Sequence, residues 1–108
     1  MNDFRKSFIN YLELLSSDEK LRKYKEEVPI ADVPAEIVCM WFDDLYTIND
    51  EIFNNAFSQK ERQLLKEFND YFALRVEKLS NNFDSLMQSI EFIEIRQKAL
   101  EILKFLKT

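Results

Sequence analysis

Two pairs of carboxylates, Glu67-x-x-Asp70 and Glu91-x-x-Glu94, are the residues of this chain best spaced for chemistry. Acids three apart on a helix share a face, where they can hold a magnesium ion that in turn binds a phosphate substrate. Composition excludes most other constellations. The chain has no Gly, no His and a single Cys. Without Gly there is no P-loop, no dinucleotide-binding fingerprint and no regular EF-hand loop. Asp43-Asp44 and Asp50-Glu51 therefore do not read as a calcium site, and their spacing is also wrong for one. Without His there is no Ser-His or Cys-His nucleophile pair and no His-based zinc site. Cys39 sits between Val38 and Met40 with no basic neighbour to activate it, which predicts a buried, inert thiol. No metal and no cofactor is expected.

The acid pairs resemble those of the all-α nucleotide pyrophosphohydrolases, a likeness that implies a magnesium-dependent hydrolase. In that family ExxE precedes ExxD, and here the order is reversed. Acids at i,i+3 also arise readily by chance among 20 acids in 108 residues. A binding role is therefore preferred over an enzymatic one.

Charge is the more telling pattern. Between Lys25 and Lys60 there is no Lys or Arg, and this window holds eight acids: Glu26, Glu27, Asp32, Glu36, Asp43, Asp44, Asp50 and Glu51. The rest of the chain is net basic, while the whole stands at −5. Asp43 and Asp44 fall near the end of a predicted helix, where negative charge opposes the helix dipole by about 0.3–1 kcal/mol. On an α-helical wheel Glu36, Met40, Asp43, Asp44 and Thr47 share one side, opposite Val38, Trp41, Phe42 and Leu45. Acids around a central Met, bordered by Tyr46, make a candidate partner-binding surface with a polar rim. Its residues are Glu36, Met40, Asp43, Asp44, Tyr46, Asp50 and Glu51. Trp41 is expected in the core. The bases Lys20, Arg22, Lys23 and Lys25 alternate with acids and read as a solvated helix face.

The elements that must carry this surface are helices. Phe4, Phe8, Tyr11, Leu12 and Leu15 recur at spacings of three and four. Ser16 or Ser17 can cap a second short helix bearing Leu21 and Tyr24. Pro29 and Pro34 hold the next stretch extended, and residues 35–46 then follow as what should be the most buried helix. Asn49 or Asp50 restarts a short helix through Phe57. Ser58 and Glu61 form a capping box opening a long helix over residues 59–79. After a turn at 80–82, Ser85 or Ser89 caps the last helix, whose stripe is Phe92, Ile95, Ala99, Leu103 and Leu106. The expected fold is all-α, a single compact bundle of about five to six helices over residues 1–108.

The first fifteen residues lack a continuous apolar run, and the longest in the chain is the six residues from Ile37 to Phe42. That is far short of the ~20 needed to span a bilayer. The acidic balance argues against nucleic acid and anionic membranes. A cytoplasmic protein is expected, monomer or homodimer. The segment from Val33 to Tyr46, followed by Phe53, Phe57-Ser58 and a Glu-rich long helix, resembles small helical immunity proteins of bacterial contact-dependent growth inhibition and related polymorphic-toxin systems. That resemblance implies a small cytoplasmic inhibitor of one cognate toxin, often a nuclease with a basic cleft. The acidic face would occlude such a basic partner. The alternative to an inhibitor is a self-associating adaptor that uses the broad apolar last helix.

Overall fold

The spacing of three and four that joins Phe8, Tyr11, Leu12 and Leu15 gives α1 (Asp3–Ser16) its inner face, and all four side chains are buried. This computed structural model describes residues 3–46 and 51–107. Helix starts follow cap chemistry. The hydroxyl of Ser17 accepts the Lys20 amide at the head of α2 (Asp18–Glu27), and Asp32 accepts the Ala35 amide at the head of α3 (Val33–Cys39). A π-helical turn, Met40–Leu45, continues α3. After α4 (Glu51–Ala56), the Ser58–Glu61 capping box opens α5 (Gln59–Arg75), which ends in a short 3-10 turn, Val76–Lys78. Asn82 caps α6 (Phe83–Gln88) and Ser89 caps α7 (Ile90–Leu106). The expected start at Asn49 or Asp50 lies outside the described residues.

Seven α-helices are therefore present among the described residues, where five to six were expected. Asn82 starts a helix of its own by accepting the Ser85 amide, and extended backbone at Ser89 (φ −73°, ψ 142°) divides it from the last one. The long helix also stops at Arg75, short of Leu79. No strand occurs among the described residues, so the all-α class holds. The most buried helix is α7, not the one after Pro34. Six α7 side chains are buried, and that helix packs on α1, α5 and α6. On α3 and the π turn only Val33, Pro34, Ile37 and Trp41 are buried.

The centre is aromatic. Phe8 meets the rings of Trp41, Phe53 and Phe57 at 5.0–5.7 Å between centroids, and Trp41 meets Phe68 edge-on at 4.8 Å. The radius of gyration is 13.7 Å, close to the ~13 Å of a compact chain this long. Among the described residues no helix is long and apolar enough to cross a membrane.

Candidate protein-binding surface

From Met40 to Leu45 the backbone widens, closed by the Tyr46 amide donating to the Trp41 carbonyl at 2.9 Å. Residues five apart on an α-helix are rotated about 140° from each other. In the wider i→i+5 pattern of a π turn that angle shrinks, and the two come to the same side. Tyr46 accordingly lies flat over Trp41, with centroids 5.3 Å apart and planes at 14°. Met40 and Leu45, also five apart, come to line one cleft. Trp41 itself is fully buried, as expected, and its indole N–H donates to Asn69 at 3.0 Å.

That cleft holds about 380 Å³ between α1 and the π turn. Tyr11 and Leu14 form its α1 wall, with Ser7 and Asn10 at the edge, and Asp44 is its one charged lining residue. One hydrogen bond ties this wall to α3. The Tyr11 hydroxyl donates to the Ile37 carbonyl at 2.6 Å, and burial holds the phenol well above its ordinary pKa, so it stays a neutral donor.

The acids of the window divide by what they do. Asp32 caps α3, Glu27 pairs with Lys23 at 4.0 Å, and Glu51 stands in the first turn of α4 where the helix dipole favours it. Glu36 is half-buried and accepts from the Tyr24 hydroxyl at 2.9 Å, a bond that raises the pKa of that phenol. The second oxygen of Glu36 is buried without a hydrogen-bond partner among the described residues. Asp43 and Asp44 are exposed, and like Glu26 and Glu51 they have no ion pair among the described residues.

The seven residues singled out in the sequence thus do not share one face. Met40 and Asp44 line the cleft on α1, with Asp43 beside them in sequence. Tyr46 lines a second cleft with Phe53, Arg62 and Lys66. Its phenol is held above its ordinary pKa, mainly by burial and then by the charge of Asp70. Glu36 turns to Tyr24, Glu51 stands on α4, and Asp50 lies outside the described residues. The wheel set Leu45 opposite Met40 because it assumed 3.6 residues per turn through a segment that is wider, and the two line one cleft.

Cys39 is exposed, not buried. Ile37 and Trp41 point inward, and a residue two places after Ile37 lies about 200° around the helix, on the outer side. The thiol borders a groove with Val38, Val76 and Leu79. The acid pairs considered for magnesium do not come together. Asp70 is bound to Lys66 at 3.0 Å and Glu94 to Arg75 at 3.4 Å, and no group of three or more metal-ligating side chains occurs among the described residues.

No family model, no curated protein and no solved structure matches this chain. What the surface can bind follows from its own chemistry: unneutralised carboxylates beside an apolar cleft with a methionine in its wall. Sequence reasoning found the carboxylates and missed the cleft. The one available signal was the spacing of five in Met40/Leu45 and Trp41/Tyr46, which the unbroken apolar run before it hides.

Proposed function

We propose that this chain is a protein-binding module whose acidic surface around the π turn occludes a basic protein, an inhibitor of the immunity-protein kind and not an enzyme. The observation that carries the reading is Asp43 and Asp44, exposed and unpaired among the described residues, in a window without a single base. Their position costs helix stability and they cap no helix among the described residues, so a partner is a physical reason for their presence. A π turn at this point supports the reading, since such turns recur at functional sites. The mechanism is steric blockage preceded by electrostatic steering, which raises association rates by about 10–10³ and fades with salt. The likeness to immunity proteins suggests a toxin nuclease with a basic cleft as the target, and the cytoplasm as the place of action.

Capture from a lysate of the source cell at low salt tests this. Wild-type bait is expected to retain a basic protein that elutes with moderate salt. The double variant Asp43→Lys, Asp44→Lys should lose association by about tenfold or more. Equal capture by the two baits, or none by folded wild-type bait, refutes the reading.

One observation favours a second reading, self-association. Ile90 is 67% exposed on α7, with Ile93, Leu100 and Phe105 also exposed on that helix. Patches of this kind mark interfaces when they are contiguous. Sedimentation equilibrium decides it: a mass of twice 13.0 kDa at micromolar concentration is expected of an adaptor dimer, and 13.0 kDa throughout removes the idea.

A further inference from the structure

We infer that the cleft between α1 and the π turn is the anchor pocket of this surface, and that it takes one apolar side chain presented by a Lys/Arg-rich segment of a partner protein. This rests on the reading of the chain as a protein-binding module and says where and how the partner docks.

The pocket is a product of the π turn. With α-helical spacing Asp44 would follow Met40 along the helix and Leu45 would point about 140° away. The wider i→i+5 pattern brings Leu45 round toward Met40 while Asp44 stays beside it, so two apolar side chains of the turn meet Tyr11 and Leu14 of α1 across the cleft. A volume of about 380 Å³ lies at the small end of ligand pockets and admits a single large side chain. Methionine in the wall suits a pocket that must adapt to its occupant.

Charge fixes what surrounds the anchor. The α1 residues that line the cleft, Ser7, Asn10, Tyr11 and Leu14, are uncharged, and Asp44 supplies the single charge. Asp43 adds a second carboxylate next to it, and neither is neutralised within the described residues. An apolar side chain flanked by acids is repelled here, and one flanked by bases is attracted. The second cleft, at Tyr46 and Phe53, is lined by Arg62 and Lys66 and has the opposite sign. The pairing of an apolar floor with an acidic edge therefore belongs to the α1 cleft, matching the usual build of an apolar anchor within a polar rim.

Defined peptides test this on the intact chain. The probes are Lys-Ser-Lys-Xaa-Lys-Ser-Lys with Phe, Leu or Ala at the centre, and the Phe peptide with Glu in place of every Lys. Amide shifts of ¹⁵N-labelled protein at low ionic strength report the site. The Phe and Leu peptides are expected to move Ser7, Leu14, Met40 and Leu45 together. The Ala peptide should bind at least tenfold more weakly and the Glu peptide should not bind. Met40→Ala should reduce the preference for Phe over Ala. Ser7→Phe, a change at an exposed edge that leaves the core alone, should block the cleft and abolish the shifts. Equal binding of the Phe and Ala peptides overturns the anchor while leaving the acidic-surface reading intact. Binding of the Glu peptide, shifts centred elsewhere, or no shift from any peptide also overturns it. Failure of the wider reading shows separately, in the lysate capture.

Discussion

Phe8→Ala is expected to cost about 4 kcal/mol of stability and to lower the melting temperature by roughly 20 °C. Phe8 is fully buried and touches four rings: Phe4 at 5.2 Å, Trp41 at 5.5 Å, Phe53 at 5.7 Å and Phe57 at 5.0 Å. Truncation leaves a cavity, and its cost depends on how far the walls can collapse into it. Here Trp41, Phe53 and Phe57 are held on or beside the π turn, α4 and the start of α5, while Phe8 rides on α1. No single side-chain rotation fills the gap. Domains of this kind hold only about 5–15 kcal/mol in total, so one ring supplies a large share. Phe42→Ala is the contrast. Phe42 is half-buried and meets the ring of Phe72 at 5.1 Å, and its loss should cost less than half as much. Thermal and urea unfolding, followed by Trp41 fluorescence, measure both. A Phe8→Ala loss below about 2 kcal/mol contradicts the central place given to this ring.

Most of the helical frame was legible because its signals are local. The Ser58 hydroxyl and the Glu61 carboxylate exchange the two bonds that their spacing promised, at 3.2 and 2.8 Å. Stripes on α1 and α7 point inward as their periods require, and Trp41 is buried as its size suggests. Illegible features depend on tertiary choices. The π turn lets Tyr46, half-buried, stack on the buried Trp41 at the edge of the aromatic core, a gain that no window of sequence reveals. Cys39 is exposed because α3 turns Ile37 and Trp41 inward, and its apolar neighbours Val38 and Met40 concealed that. Asn82 and Ser89 each start a helix, and one helix had been expected. At the candidate site the charge map marked eight acids alike, of which Asp43 and Asp44 are exposed without an ion pair among the described residues. The same map could not tell that Glu36 would serve Tyr24 or that Tyr46 would face another cleft.

Arg5→Ala is expected to cost about 2–3 kcal/mol, a discount from the 3–5 of a broken buried ion pair because the partners are partly exposed. The reason begins with the missing Gly. Helices usually end on a left-handed residue, most often Gly, that satisfies the last carbonyls. This chain has no Gly, and no described residue has positive φ. Basic side chains do that work instead. The Arg5 guanidinium donates to the terminal carbonyls of α4 (Ala56, 3.2 Å) and α7 (Leu106, 3.1 Å) while holding both Glu61 oxygens at 2.8 and 2.7 Å. Arg62 donates to Asn54 and Phe57, and Arg96 to Leu15 near the end of α1. Arg5, Arg62 and Arg96 are thereby drawn into the frame, while Asp43 and Asp44 stay without an ion pair among the described residues.

The pH dependence has a definite sign. The Arg5 hydrogen bond holds the Glu61 carboxyl below its ordinary value of 4.5. Its stabilisation is complete above the unfolded value and is lost as pH falls through the lower folded one. The gap in melting temperature between wild type and Arg5→Ala should therefore be widest near neutrality, about 10–15 °C, and should narrow below about pH 4.5. It should not close, because the two carbonyl bonds do not titrate. Arg5→Lys separates charge from geometry: an ammonium keeps the charge but cannot hold a carboxylate and two helix ends in one planar fork. It should recover less than half of the loss. Full recovery by Lys would mean that Coulomb attraction alone joins α1 to α5, and that the ends of α4 and α7 need no cap.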